Sequence, residues 1–321
     1  MVVLLGTGFP RPDPDASGPA TAVVVGSRVF LVDAGPGVER RLAAAHLPID
    51  GVTALFITHL HSDHTLGLPD LIFTSWVMGR KQPLAAYGPH GLQQMTDHIV
   101  AAWAEDIDVR TNGLEKRTPG GYRVNVHEIR PGTVYDSGGV RVTAFLVEHG
   151  TWREAYGYRI DAPGRSVVIS GDTKPSENLV RAAAGTDVLV HEVYPEPRTA
   201  PNATESATWP TYMRDFHTSD VELGRARRAH PAQAVDPQPR HPPRGDRRGA
   251  ARERAAVVRR PRGGGARSRP LLGKLCTSRA KPGVGALHAS HAWALGRHIC
   301  AEARPITDAS VPAVRPRVSA C

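Results

Sequence analysis

The sequence THLHSDH at 58–64, which follows an apolar run, constrains the fold of this chain more than any other stretch. The apolar run predicts a buried strand, so the histidines begin where a strand leaves its sheet. His59 and His61 are two positions apart and point the same way from an extended or loop backbone. Asp63 and His64 can then turn toward a second point a few ångströms away. This arrangement suits two adjacent divalent metal ions better than one.

Residues 1–230 alternate between strand and helix patterns. Val-rich runs bounded by Gly, Pro and Asp predict strands at 2–5, 20–25, 28–33, 53–57, 84–87, 122–129, 139–147, 156–161, 165–169 and 187–191. Apolar periodicity and capping residues predict helices at 37–46, 69–79, 91–104, 176–184 and 218–229. The alternation predicts an α/β (α+β) domain in which helices cover sheets.

Charge and cysteine content change at about residue 230. The whole chain carries a net charge of +9, but residues 231–321 hold 18 Lys and Arg against 5 Asp and Glu. Residues 1–230 hold 22 basic and 26 acidic side chains and no cysteine, which excludes a disulfide scaffold there. We predict a folded domain at 1–230 and a basic, low-complexity, irregular tail at 231–321.

Three interpretations of the tail remain open. It can be disordered, or it can be a nucleic-acid-binding arm, although residues 231–270 lack the interleaved aromatic residues that favour such an arm. It can also be an out-of-frame translation, because GC-rich DNA in a wrong frame gives excess Arg, Pro, Gly and Ala. Codons read one base later from Pro231 permit the product K-L-L-T-H, an apolar strand that ends in histidine.

The sequence gives no sign of a membrane segment. No apolar run reaches the ~18 residues that a transmembrane helix needs. The chain starts with the apolar residues Val2–Leu5 and has no basic region before a longer apolar stretch, so we expect no signal peptide. A cytoplasmic protein without a membrane partner is therefore expected.

Further motifs accompany the histidine-rich stretch in a fixed order: LLGTGFPRP at 4–12, VDAGPGVERRL at 32–42, YGPHG at 87–91, FLVEH at 145–149, SGDT at 170–173, LVHEV at 189–193 and HTS at 217–219. With THLHSDHTLGLPDL at 58–71, they resemble the metallo-β-lactamase fold superfamily, and within it the ribonuclease Z-like and arylsulfatase-like branch. The resemblance covers roughly residues 1–230. It implies an αββα sandwich.

The resemblance also implies a site for two metal ions. Its ligands would be His59, His61 and His149 for the first ion, Asp63 and His64 for the second, and Asp172 for both. The family expects one more histidine on the second ion, after a late apolar strand. His230 and His241 are nearest by position, but neither follows such a strand.

The ligand types fit metal-assisted hydrolysis. Imidazole and carboxylate groups suit Zn²⁺, with Mn²⁺ or Fe²⁺ as alternatives. Two ions about 3.5–4 Å apart can share a hydroxide, and the pKa of bound water falls to about 7. We therefore expect a dinuclear zinc hydrolase in which a metal-bridging hydroxide attacks an ester. Asp63 could also orient that hydroxide, and His217 is a candidate for assisting the leaving group or the oxyanion.

Several of these residues have simpler interpretations. His149 could be a surface histidine at a strand end, Asp172 a turn carboxylate, and His217 a helix cap. For His191, beside Glu192, a supporting or core role is favoured over metal binding. Gly35-Pro36-Gly37 is predicted to form a tight turn beside the metal ions.

The predicted substrate is an ester, with a phosphodiester preferred by resemblance. An RNA 3′ end is one candidate. Ribonuclease Z enzymes often carry a long Gly/Pro-rich arm between the third metal histidine and the bridging aspartate, whereas only 23 positions separate His149 from Asp172 here. A small-molecule phosphate or sulfate ester is the other candidate.

Alternatives from other classes also remain. A glyoxalase II-type thioesterase shares the core metal motif, and a lactamase fits the other motifs less well. A non-catalytic, metal-binding relic with an impaired second metal site is suggested by the missing histidine. A homodimer is plausible by resemblance only.

Overall fold

The computed structural model describes residues 1–196, 207–229 and 254–259. The chain divides into two units, Met1–Gly264 and Gly265–Cys321, and all described residues belong to the first. The described residues form two six-stranded sheets. The first has the order β1 (Val2–Gly6), β2 (Ala20–Val25), β3 (Arg28–Val32), β4 (Val52–Phe56), β5 (Leu84–Gly88) and β6 (Val124–Glu128). The second has the order β12 (Arg254–Arg259), β11 (Val188–Val193), β10 (Arg165–Ile169), β9 (Tyr156–Ala162), β8 (Val140–Leu146) and β7 (Gly132–Ser137).

Eight helices lie among the described residues: α1 (Val38–Ala44), α2 (Ser62–Thr65), α3 (Leu68–Val77), α4 (Leu92–Ala102), α5 (Ala104–Asn112), α6 (Glu177–Ala183), α7 (Trp209–Phe216) and α8 (Asp220–Ala229). None of the helices in this part of the chain is long and apolar enough to cross a membrane.

The two sheets share an apolar layer. Phe30 and Phe56 of the first sheet pack in one buried cluster with Tyr156 and Tyr158 of the second. Burial of such a side chain contributes roughly 1.5–3 kcal/mol. The other faces carry helices: a second cluster joins the first sheet to α1 and α3, and a third joins Val168 of β10 to α6. These layers confirm the predicted αββα sandwich.

The sequence patterns identified most elements but missed five of those described. α2, β7, α5, α7 and β12 were not predicted, and the helix predicted at 91–104 ends at Ala102 before α5 begins at Ala104. β7 forms a hairpin with β8 across Gly138 and Gly139, both of which have positive φ.

One strand lies inside the segment predicted as a tail. β12 pairs antiparallel with β11, with Val188 opposite Arg259 and Val193 opposite Arg254. His230, His241 and the remainder of the segment lie outside the described residues. The boundary at residue 230 and the origin of the tail therefore stay predictions.

Candidate metal centre

Five segments converge at one edge of the sandwich. β8, β10 and β11 run in the same direction, because β9 is antiparallel to β8 and β10 while β10 and β11 are parallel. Their carboxyl ends therefore meet at one edge, where His149 and Asp172 follow two of the strands. β4 leads into THLHSDH, and α7 ends immediately before His217. Residues far apart in sequence thus form one site.

Three imidazoles and a carboxylate form the first donor group: His59, His61, His149 and Asp172, whose ligating atoms lie within 4.8 Å of one another. His59 Nε2 is 2.9 Å and His149 Nε2 is 3.1 Å from His61 Nδ1. Asp172 Oδ2 is 4.0 Å from both Nε2 atoms. Because Zn–N bonds are about 2.0–2.1 Å long, these atoms are spaced to share one ion.

The Nδ1 atoms of His59 and His149 are hydrogen-bonded to neighbouring residues. His59 Nδ1 donates to Thr58 Oγ1 at 3.0 Å, and His149 Nδ1 donates to the carbonyl of Phe216 at 2.8 Å. Donation from Nδ1 leaves Nε2 of both rings with a free lone pair for a metal ion.

Burial keeps the three imidazoles of the first donor group neutral. It lowers the pKa of His59 well below its ordinary value, and it lowers the pKa of His149 to about 4. Burial also lowers the pKa of His61. Neutral imidazoles are the form that binds metal ions, so at neutral pH a cation does not have to displace charged imidazolium groups.

His64 lies on the other side of Asp172. Its Nε2 is 3.3 Å from Asp172 Oδ2 and 3.7 Å from Asp63 Oδ2, whereas its Nδ1 donates to Asp33 Oδ2 at 2.8 Å. The Nε2 atom is buried and has no hydrogen-bond partner of acceptable geometry. Buried polar atoms normally have partners, so this orphaned nitrogen fits a role as a metal ligand.

A second donor group contains a residue that the sequence patterns did not assign to the site. Asp172, Glu192 and His217 have ligating atoms within 4.8 Å of one another. His217 Nδ1 is 2.7 Å from Glu192 Oε2, and Glu192 Oε1 accepts the backbone N–H of Thr173. Among the described residues, neither donor group includes Asp63 or His64.

His191, which precedes Glu192, lies outside both groups. It is buried, its Nδ1 contacts the Glu192 carbonyl, and burial lowers its pKa to about 4. Neighbouring residues of a strand face opposite sides of a sheet. The strand LVHEV therefore indicated that only one of His191 and Glu192 can face the site.

Asp33 was also missed as a site residue. It follows β3 with a positive φ of 62°, and its carboxylate accepts hydrogen bonds from His64 and from the backbone and hydroxyl of Thr58. The predicted glycine turn follows it, and a Cβ at Gly35 would lie 2.5 Å from the carbonyl of Asp63. The turn therefore lies beside the candidate metal ligands.

Comparison with known proteins identifies relatives of this chain. Residues 28–234 match the β-lactamase superfamily domain. Ribonuclease Z of Mycobacterium bovis is 40% identical over 196 residues, which cover 60% of this chain and 69% of that protein. Ribonuclease Z of Mycobacterium tuberculosis is 38% identical over 196 residues, covering 60% and 68%.

Solved structures share the fold. Human tRNase Z, short form, has a TM-score of 0.55 at 24% identity and covers 71% of this chain and 87% of its own. A metallo-β-lactamase fold protein from Bacillus subtilis has a TM-score of 0.51 at 17% identity, covering 70% and 80%.

Together, the two-sheet sandwich and the histidine–aspartate cluster at its edge define a metal-dependent hydrolase of the metallo-β-lactamase type. The chain belongs to the β-lactamase superfamily and, within it, to the ribonuclease Z-like proteins. It is a divalent-metal-dependent hydrolase of phosphodiester bonds.

Proposed function

We propose that the chain cleaves a phosphodiester near the 3′ end of RNA with two zinc ions. The convergence of His59, His61, His149 and Asp172 on one point, with His64 on the far side of Asp172, carries this proposal. Asp172 lies near both sets of imidazoles, 4.0 Å from His59 and His149 and 3.3 Å from His64, which suits a bridging ligand.

The distances support a role for each residue. His59, His61 and His149 would hold the first ion, Asp63 and His64 the second, and Asp172 both. The bound ions would supply a nucleophile from water at neutral pH and neutralise charge on the phosphate oxygens. Asp63, which is buried and 3.7 Å from His64, is placed to accept a proton from that water.

His217 is the proposed proton donor to the leaving oxygen. Its Nδ1 donates to Glu192 Oε2, and that carboxylate stabilises the protonated imidazole while fixing the orientation of the ring. The same bond assigns the second proton of the imidazolium to Nε2. Transfer of that proton to the leaving group commonly contributes ~10²–10⁴-fold to a rate.

RNA is preferred as substrate because the relatives carry the name ribonuclease Z. A small-molecule phosphodiester is the second candidate, since β9 and β10 form a plain hairpin between His149 and Asp172 and no arm projects there. With RNA as the proposed substrate, the proposed location of the protein is the cytoplasm. A homodimer is the proposed assembly, by resemblance to the family.

The test compares three substrates with added Zn²⁺ or Mn²⁺: an RNA with a 3′ extension, bis-p-nitrophenyl phosphate and S-lactoylglutathione. Turnover of the RNA at much higher kcat/KM than the small diester supports the proposal, and the reverse ratio favours the small-molecule candidate. Turnover of the thioester alone identifies a glyoxalase II-type enzyme. Absence of all turnover, with one metal ion or none per chain, identifies the non-catalytic relic.

A matched variant tests the role of His217. His217→Asn removes the proposed proton donor but keeps a polar side chain that can reach Glu192. We expect kcat to fall ~10²–10⁴-fold with metal content unchanged. An unchanged kcat assigns His217 a capping role instead.

The proposed domain boundary at residue 230 needs a different measurement. The DNA around codons 228–240 decides whether residues 231–321 are a genuine tail or an out-of-frame product. A frame that encodes the K-L-L-T-H strand would restore the histidine that the family expects.

A further inference from the structure

The turn that follows His149 holds Trp152 beside the metal-binding histidines. The backbone N–H of Trp152 donates to the carbonyl of His149 at 3.1 Å, across Gly150, which has a positive φ of 53°. The N–H of Gly150 donates to the carbonyl of Asp215 in α7 at 3.1 Å. These backbone bonds fix the position of Trp152 independently of its own side chain.

The indole of Trp152 meets the site with its edge. Its Nε1–H donates to His61 Nε2 at 2.9 Å, and the two rings lie at 84° with 4.9 Å between their centroids. The ring of His59 lies 5.8 Å away at 73°. Because the N–H bond lies in the indole plane, the edge of the indole contacts His61. This contact leaves the faces of the indole unused.

Core packing does not account for Trp152. The residue belongs to none of the three apolar clusters formed by the described residues, and its side chain is half-buried. Within the described part of the chain, His59 and His61 are the only rings that the indole contacts. Large aromatic side chains beside a few convergent polar groups are typical of ligand-binding sites.

Metal binding would release the indole from His61. When Nδ1 of neutral His61 binds an ion, Nε2 carries the proton of the ring and no longer accepts the indole N–H. The Trp152 side chain can then rotate, while the turn at Gly150 keeps its backbone beside the site. A face of the indole thus becomes available for a bound molecule.

We infer that Trp152 is a substrate-binding residue that stacks on a nucleobase next to the scissile phosphodiester. The inference rests on the proposed function, which puts an RNA phosphate at the metal ions beside Trp152. One ribose separates a nucleobase from its phosphate, so a base that flanks the scissile phosphate lies near the indole. Aromatic side chains bind unpaired bases of any sequence, because every base has a π-face. The expected ligand is therefore a single-stranded RNA segment.

Binding of two RNA octamers of equal length and charge tests the inference. One octamer carries its bases, and the other is abasic at every position. Stopped-flow fluorescence anisotropy of the end-labelled octamers, with full-length protein and Zn²⁺, records binding before cleavage. Trp152→Leu should bind the octamer with bases ~5–150-fold more weakly than the wild type does, and it should bind the abasic octamer equally well.

Two further variants serve as matched controls. Trp152→Phe keeps an aromatic face but removes the indole N–H, so it should retain most of the affinity for the octamer with bases. Trp103→Leu removes an exposed indole that follows α4, outside the site. It should bind both octamers like the wild type.

Three results would each overturn the inference. Equal loss of affinity for both octamers in Trp152→Leu would mean that Trp152 acts through the metal ligands. Unchanged affinity for both octamers would mean that no base contacts Trp152. A loss in Trp152→Phe as large as in Trp152→Leu would assign the contact to the indole N–H. Wild-type affinity of Trp152→Leu for the abasic octamer shows that this variant is folded.

Cleavage of the octamer with bases, measured in parallel, keeps this inference distinct from the proposed function. Cleavage by the wild type, together with unchanged binding in Trp152→Leu, overturns the inference alone. A wild type that binds bases through Trp152 but cleaves no phosphodiester overturns the proposed function alone. A wild type that neither binds nor cleaves the octamer overturns both.

Discussion

Asp33 Oδ2 accepts a hydrogen bond from His64 Nδ1 at 2.8 Å, and this bond decides which nitrogen of His64 faces Asp172. The same carboxylate accepts the hydroxyl of Thr58, whose oxygen accepts His59 Nδ1. One buried side chain therefore orients an imidazole in each half of the site. Such outer contacts fix ring orientation and ligand basicity.

Asp33→Asn should weaken binding of the second metal ion more than binding of the first. Asn tolerates the positive φ at this position and keeps an acceptor, but it removes the charge that supports donation from His64. We expect affinity for the second ion to fall about 10–100-fold, measured by calorimetric titration. Asp161→Asn, which alters only an ion pair with Arg159 at the surface, is the control. Equal affinities would show that the charge of Asp33 is not needed.

Trp152 should report on the first ion. Its indole N–H donates to His61 Nε2 at 2.9 Å, so His61 Nε2 carries no proton in this arrangement. If an ion binds Nδ1 of neutral His61, the proton of the ring must lie on Nε2. Two N–H groups, those of His61 and Trp152, would then face each other, so their hydrogen bond is lost. We expect metal addition to displace Trp152 and change tryptophan fluorescence.

Trp152→Phe should abolish most of that fluorescence change while the binding stoichiometry stays the same. Trp103→Phe, which alters an exposed indole on the helical side of the first sheet, serves as the control. A full signal in Trp152→Phe would assign the change to another tryptophan.

The sequence indicated the candidate ligands but not the side chains that orient them. His59, His61 and His64 lie on one short stretch, so their spacing alone indicates a site. The bond between Asp33 and His64 depends instead on β3 and β4 being parallel neighbours. Glu192 reaches His217 only because α7 carries His217 back to the end of β11. The periodicity of a local sequence gives no information about such tertiary neighbours.

Helix α7 was missed although its sequence carries a helical pattern. Trp209, Tyr212, Met213 and Phe216 recur at i, i+3, i+4 and i+7, and Pro210 lies in the first turn, as is typical of an amphipathic helix. The rings of Trp209, Tyr212 and Phe216 stack in sequence, and the ring of Phe216 lies 5.1 Å from that of His149. The pattern predicts the helix, but not that its last aromatic ring packs against the site.

Glu39 should make the folded state less stable as the pH rises. It is 3% exposed on α1 and neither carboxylate oxygen has a hydrogen-bond partner. Burial, with help from the charge of Asp70, raises its pKa from 4.5 to about 8. Between these values the unfolded chain ionises first, so the folded state loses stability as the pH rises from about 4.5 through 8.

Glu39→Gln should remove this loss. We expect the variant to exceed the wild type in free energy of unfolding at pH 9, by up to about 5 kcal/mol, because each pKa unit corresponds to ~1.4 kcal/mol. At pH 4 the two should be similar. Urea titrations at both pH values measure the difference, with the exposed Glu105→Gln as control. A constant difference at all pH values would contradict the raised pKa.

Gly150→Ala should loosen the first metal position. Gly150 has φ 53°, and a Cβ there would lie 2.1 Å from the ring of Phe216, whose carbonyl holds His149. Gly164→Ala is a matched control, since its φ is 70° and a Cβ would meet nothing within 4 Å. The positive φ costs about 1–2 kcal/mol in both variants, and the clash adds ~1–3 kcal/mol in Gly150→Ala alone. Thermal unfolding should rank Gly150→Ala below the control, with weaker binding of the first ion. Equal unfolding temperatures would show that Phe216 moves aside without cost.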